Sequence, residues 1–353
     1  MRIILITTLL LAGTTSSGFC STDLQTIDTK AYKAFTKEFQ SFAGKGLPKD
    51  RSGLLGRNRK WGKLYSPRFQ LGAGKALRIT LVAGDQDRAR MAYLGLKKGT
   101  EGIESSGYIK TTVPAPFARG RKLSAGDIAS AAAFYLGDAC LGITALETMD
   151  GANTIAGNGE INVVRKSLER GVNWLLSQSE ILRNYDRRVP NRLLFDALAF
   201  QACGSLTSNE QAKKAASEFV EAAINLLNSE GYFLEGGGWD TSYQAVAINV
   251  GKDLLLAGFD SKKLEETLYK AALWLANRVD SKGRVNSAGN KRTCEGGESF
   301  LGKPKKIALD EVIMSLVYLG VMNSDQELLG AARRVSKWYV NSAGDDPCFA
   351  GEL

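Results

Sequence analysis

Ile128-Ala129-Ser130-Ala131-Ala132-Ala133-Phe134-Tyr135-Leu136 opens an apolar run that continues to Leu146, broken only by Ser130, Asp138, Thr144 and two glycines. No 3.6-residue alternation separates a wet face from a dry one, so a helix over 128–146 must be buried on every side. The stretches 193–206, 244–256 and 307–321 read the same way. Between them lie helices of the opposite kind. In 262–278, Leu264, Leu268, Ala271, Ala272 and Leu275 recur at helical spacing with Lys and Glu between them, and 163–176 repeats the pattern with Val164, Leu168, Val172 and Leu175. Fully apolar helices alternating with one-faced ones describe an inner and an outer layer. The predicted fold is therefore all-α, an α/α toroid of helical hairpins forming one domain over 21–353. A HEAT-like solenoid is the alternative, with shorter repeats and tighter connections.

The alternation comes with a sequence repeat. Val172-Asn173-Trp174-Leu175-Leu176-Ser177, Ala223-Ile224-Asn225-Leu226-Leu227-Asn228, Leu273-Trp274-Leu275-Ala276-Asn277 and Lys337-Trp338-Tyr339-Val340-Asn341 are related endings. Aligned on Trp174, Asn225, Trp274 and Trp338 they lie 51, 49 and 64 residues apart. The connections 147–162, 179–192, 229–240 and 279–306 are long, and long loops at one end of a helical barrel are where function is expected. Segments 23–43 and 76–97 are expected to add helices, and 44–75 an extended basic arm.

Composition narrows the chemistry. Of 353 residues 44% are apolar and only 7 are proline, which suits a large helical core. Met1-Arg2, the apolar run 3–12 and the small residues after it form the pattern of a cleaved secretory leader over 1–20. This predicts a secreted or periplasmic protein, with lipid anchoring at Cys20 as the lesser alternative. No later run is expected to span a membrane. Cys140 and Cys203 fall in apolar helices and read as buried thiols. Cys294 and Cys348 fall in polar loops, where a disulfide is open. Histidine is absent, which removes Ser-His-Asp catalysis, His-ligated zinc and imidazole acid–base chemistry. No metal or cofactor motif is present, and no cofactor is expected.

The formal charge of +9 is concentrated. Residues 45–75 carry nine Lys or Arg against Asp50 alone, 108–122 carry Lys110, Arg119, Arg121 and Lys122 without an acid, and 281–307 carry seven bases against Glu295 and Glu298. Such loops attract polyanions. In an exported protein an acidic polysaccharide or an anionic envelope surface is a better partner than nucleic acid.

The densest chemistry lies in Gly231-Tyr232-Phe233-Leu234-Glu235-Gly236-Gly237-Gly238-Trp239-Asp240-Thr241-Ser242-Tyr243-Gln244. Trp239 offers a flat face for a sugar, Glu235 and Asp240 an acid/base pair, and Tyr243 a phenol for proton transfer. The plainer reading is mechanical: Thr241-x-x-Gln244 is a capping box with Asp240 or Thr241 as N-cap. One repeat later, Asn290 and Arg292 are suited to a uronate carboxylate, with Glu295 and Glu298 as potential acids. Tyr185-Asp186-Arg187-Arg188-Val189-Pro190-Asn191-Arg192 adds positive charge at a third helix entry. Asp310-Glu311 fits plain helix-dipole complementarity.

The glycine turn leading into Trp239-Asp240-Thr241-Ser242-Tyr243-Gln244 resembles loops of α/α-toroid carbohydrate-active proteins, among them the toroid domains of alginate, heparin and hyaluronan lyases. The Pro190-Asn191-Arg192 and Asn290-Lys291-Arg292 entries are similar in kind. The resemblance covers 125–342 as architecture. It implies that Tyr243 serves as base or acid and that Asn191 or Arg292 neutralises the uronate. In the lyase reading Tyr243 abstracts the proton beside that carboxylate, and Arg192, Asn290, Gln244 and Trp239 are expected to line the substrate. Those lyases often add a histidine, which this chain lacks. Three functions are expected in descending order: a polysaccharide lyase, a non-catalytic binder of anionic polysaccharide, and a glycoside hydrolase using Glu235 and Asp240.

Overall fold

The computed structural model describes residues 21–351 except 115–121, 150–151, 301–302 and 343–345. The expected leader over 1–20 with Cys20, and Arg119 and Arg121 of the second basic stretch, lie outside the described residues. The domain is all-α with a helical repeat. Two short helices, α1 (Ser21–Ala34) and α2 (Thr36–Lys45), lead to α3 (Gly56–Trp61), α4 (Ala73–Val82) and α5 (Gln86–Thr100). The apolar helices follow as α6 (Ala125–Thr148), α10 (Pro190–Thr207), α12 (Thr241–Leu256) and α14 (Leu309–Met322). The one-faced helices are α8 (Asn158–Ser177), α11 (Glu210–Ile224), α13 (Lys262–Ala276) and α15 (Gln326–Asn341). The single turn α7 (Ala152–Ile155) and α9 (Ser179–Asp186) complete the α-helices among the described residues. Residues 179–186, expected as loop, are thus helical, because Leu182 is buried against the neighbouring helices.

Burial follows the sequence pattern. Along α6, α10, α12 and α14 apolar side chains are buried on all sides, whereas α8, α11 and α13 bury one stripe each. Helix α4 packs on α6, α6 on α10, α10 on α12, α12 on α14, α14 on α1, and α1 back on α4. The second set runs alongside, with α5, α8, α11, α13 and α15 each touching the next. At 24 residues α6 is long and apolar enough to cross a bilayer by length and composition, against the sequence expectation. Most of it is buried inside the fold, against α4, α8 and α10.

A charged knot fastens the two ends of this circuit. Arg78 on α4 binds Asp28 of α1 at 2.9 Å and Asp253 of α12 at 2.8 Å, and the Tyr318 hydroxyl of α14 donates to Asp28 at 2.6 Å. All four side chains are buried. Ions in such a place must be paired, since a lone buried charge costs several kcal/mol.

The repeat also has a physical cause. After α5, α11 and α13 the chain makes a small turn with a glycine at positive φ: Gly107, Gly231 and Gly283. A Cβ on these would lie 2.2, 3.0 and 2.0 Å from the carbonyl oxygens of Arg170, Lys270 and Arg334, beside Trp174, Trp274 and Trp338 respectively. The repeated tryptophans are the seats on which the preceding turns rest.

Two expectations change. Cys140 and Cys203 are not thiols but a disulfide joining α6 to α10, and Cys294 pairs with Cys348. Segment 44–75 is not an extended arm. The buried amides of Asn58 and Gln70 tie it into a compact fold: Gln70 donates to the carbonyls of Gly53 and Gly95 and accepts from Leu55 N–H, while Asn58 binds Ser66 and Tyr65.

Candidate functional site

Helix α12 begins at Asp240, whose extended backbone and short carboxylate make it an N-cap. Oδ1 accepts from the N–H groups of Ser242 and Tyr243 at 3.1 Å each. Oδ2 accepts from the N–H groups of Arg292 at 2.9 Å and Thr293 at 2.7 Å. One carboxylate thus starts a helix and pins the next connection to it. With four N–H donors and 1% exposure, Asp240 has no lone pair facing solvent for acid–base work. Asn290 reinforces the clasp: it accepts from Thr241 N–H and donates to the hydroxyls of Thr241 and Thr293. Gln244 turns away from the helix start, accepting from Phe233 N–H and donating to the carbonyls of Gly231 and Ala271. The expected capping box is therefore not formed, because Gln244 closes the preceding turn instead. Trp239 gives its indole N–H to Ala288 and packs among Tyr232, Trp274 and the Arg278 guanidinium. Asp240, Asn290, Gln244 and Trp239 hold loops in place.

That clasp delivers Arg292 to Tyr243. The guanidinium carbon lies 3.8 Å from the centre of the Tyr243 ring. Its Nη1 pairs with Glu235 Oε1, and its Nε and Nη2 fork onto Glu298 at 3.0 and 3.2 Å. Lys305 Nζ donates to the Tyr243 hydroxyl at 2.5 Å and pairs with Glu298 at 2.9 Å; the hydroxyl donates to Glu298 Oε2 at 3.2 Å. Burial pushes the Tyr243 phenol well above its ordinary range; Arg292 opposes and Glu298 reinforces this. Burial also raises Glu235, against the pull of Arg292. Glu298 goes the other way: burial pushes it up, but the hydrogen bonds and charges of Arg292 and Lys305 outweigh burial and hold it at about 2. Arg292 touches only Oε1 of Glu235, and Oε2 has no hydrogen-bond partner among the described residues.

The entry to α10 closes on the same space, since Arg192 acts electrostatically on Glu235. Arg192 binds Asp186 at 3.1 Å. Beside that pair Asp196 is buried without a donor for either oxygen. Burial first, and then the Asp186 charge, push Asp196 well above the usual carboxylate range. Asn191 is buried next in sequence with Oδ1 unpartnered. Sequence reasoning named Asn191 and Arg192 but missed this carboxyl pair. An aspartate in the middle of an apolar helix was the available signal.

It missed Arg68 as well, counting it only among the nine bases of 45–75. The 3-10 turn Pro67–Gln70, capped by Ser66 and held by the buried Gln70, carries Arg68 to within electrostatic reach of Arg192, Asp186, Tyr243 and Tyr185. Its guanidinium lies 4.1 Å from the Phe134 ring, which stacks on Phe195 at 3.9 Å. Phe195 lines a cavity of about 240 Å³ to which Phe42, Lys75, Asp138, Asn249 and Glu311 also contribute, one from each of five further helices. On α12, Tyr243 precedes the cavity residues Val246, Asn249 and Val250 at helical spacing, so the phenol stands on the same face one turn earlier. Tyr243, Glu235, Arg292 and the potential acid Glu298, all noted from sequence, meet one another and Lys305, with Arg192 and Arg68 within electrostatic reach.

No protein-family model, curated protein or solved structure gives a significant match to the chain.

Proposed function

We propose that this is a secreted α/α-toroid protein that cleaves an acidic, uronate-containing glycan by β-elimination at the cleft around Tyr243. The circuit α1–α4–α6–α10–α12–α14, with a cavity lined from α2, α4, α6, α10, α12 and α14, supports the toroid. The leader pattern and two disulfides support export, since such bonds persist in oxidising compartments.

One observation carries the catalytic reading: the Tyr243 hydroxyl sits between Lys305 and Glu298 with Arg292 against its ring. The raised phenol is protonated at rest, so its role is that of the acid. Glu235, raised by burial and with Oε2 open, is the matching base. Glu235 takes the proton beside the uronate carboxylate, and the electron pair forms the ring double bond. The glycosidic carbon–oxygen bond breaks, and Tyr243 protonates the departing oxygen. Lys305 and Arg292 stabilise the resulting phenolate until Glu235 returns the proton.

A hydrolytic reading has one observation in its favour. Glu235 and Glu298 are shifted in opposite directions around a shared Arg292, as an acid and a base would be. Incubation of the mature protein with alginate, pectate, hyaluronan and heparin separates the readings. Rising ultraviolet absorbance from unsaturated uronate, lost in Tyr243→Phe and Glu235→Gln, establishes elimination. New reducing ends without that absorbance establish hydrolysis. Neither product, with retained binding, leaves a non-catalytic binder.

A further inference from the structure

We propose that Arg68, assisted by Arg192, is the receptor for the anionic group of the glycan, a carboxylate seated against the Phe134 ring beside Tyr243. This rests on the acidic-glycan reading above and adds the residue that recognises the acid.

Of the four arginines Arg78, Arg192, Arg292 and Arg68, three already hold a carboxylate, although Arg192 spends only Nη1 on its partner. Arg78 holds Asp28 and Asp253, Arg192 holds Asp186, and Arg292 holds Glu235 and Glu298. A uronate arriving at Arg292 would have to displace one of two carboxylates already there. Arg68 is different. Among the described residues no carboxylate lies within ion-pair distance of it, and its guanidinium has no hydrogen-bond acceptor. Its guanidinium instead lies over the face of Phe134, 4.1 Å from the ring centre.

The surroundings sharpen the point. Arg192, a like charge, is in reach, and the nearby Asp186 is already engaged by Arg192. Burial and Arg192 both disfavour the charged form of Arg68, which records how little protein charge compensates it. A half-buried guanidinium in such a place gains an anion at little further desolvation cost. The guanidinium fork matches a carboxylate in two parallel hydrogen bonds, and the aromatic face beneath it fixes the plane of the fork. The turn that carries it is rigid: Ser66 caps it, and Gln70 is tied to Gly53, Gly95 and Leu55. Tyr243 is within electrostatic reach of Arg68, so a carboxylate bound there would bring its sugar ring towards the proton-transfer groups.

The test is calorimetric titration of the mature protein with saturated tetramers of galacturonate, mannuronate and glucuronate, each against its carboxyl-reduced neutral counterpart. We expect the wild type to prefer at least one acidic tetramer over its neutral form by about tenfold or more. Arg68→Gln should abolish that preference while leaving affinity for the neutral tetramer unchanged, and Arg68→Lys should keep part of it. Should Arg68→Gln fail to fold, modification of wild-type arginines by phenylglyoxal replaces it. The acidic tetramer should then protect Arg68, located by peptide mass mapping, and the neutral tetramer should not. Absence of acidic preference in the wild type overturns the proposal, as does its survival in Arg68→Gln or equal loss of both ligands. All titrations are made in a Tyr243→Phe background, wild type or variant at position 68, so binding is read without turnover. Acid recognition through Arg68 without product from the unmodified protein then sinks only the elimination reading. Product formation unaffected in Arg68→Gln sinks only this one.

Discussion

Lys305 Nζ stands 2.5 Å from the Tyr243 hydroxyl, joining the start of one buried helix to the lysine-rich connection 62 residues later. The same hydroxyl donates to Glu298, which also holds Lys305 and Arg292. The phenol's acidity is therefore set by which of these charges is present.

Glu298→Gln should lower the Tyr243 pKa. The Glu298 charge raises it, and removing that charge also leaves Arg292 and Lys305 less neutralised, which favours the phenolate. Spectrophotometric titration of tyrosinate, with Tyr243→Phe to identify the signal, checks this. An unchanged or raised value contradicts the assignment.

Glu298 should also mark the acid stability profile. Its folded pKa, about 2, lies below its ordinary 4.5, so its contribution is fully present above pH 4.5. It is lost as pH falls from there towards 2. Urea unfolding at stepped pH should show a gentler decline in Glu298→Gln than in wild type within that window.

Asp240→Ala should cost stability whatever the activity. It removes an N-cap and leaves the N–H groups of Arg292 and Thr293 without their acceptor, an expected loss of about 3 kcal/mol. Equilibrium unfolding measures the loss. A fully stable but inactive variant would instead make Asp240 a proton-transfer group.

Gly283→Ala should destabilise the domain by about 2 kcal/mol, because its φ of 87° disfavours a side chain and the added Cβ would meet Arg334 O. Gly62→Ala shares positive φ but has open space around the added carbon, and should cost less. Equal effects would show that backbone conformation alone, not the seat on the next helix, is what the repeat preserves.

Replacing Cys140 and Cys203 together with serine should lower stability by about 4 kcal/mol, the chain-entropy estimate for a closed loop of 63 residues. Thermal unfolding of the pair against wild type, with a thiol count on the native protein, checks both the bond and its worth.

Periodicity settled the helices. The runs at 128–146, 193–206, 244–256 and 307–321 had no polar face to show water, and the structure buries each on all sides. The tryptophan register was visible too, but its cause was not: Trp174, Trp274 and Trp338 support glycine turns 67, 43 and 55 residues earlier in the chain, respectively. Around Tyr243, the residues Glu235 and Arg292 were legible as types suited to a glycan, and they converge, with Arg192 within electrostatic reach. Residue type could not separate Asp240 from Glu235, two carboxylates five positions apart. Only the fold gave one of them four backbone donors and left the other an open oxygen.

Sequence by itself determined what must be hidden, because burial is dictated by side-chain polarity at a fixed helical period. It also determined which chemistries are barred, since a chain without histidine cannot use imidazole. Tertiary structure alone decided which charges are spent. Arg292 and Arg68 are the same residue type in similarly basic stretches, yet Arg292 meets two carboxylates while Arg68 meets the face of Phe134. An ion pair depends on partners brought from distant parts of the chain, and no local pattern encodes that meeting.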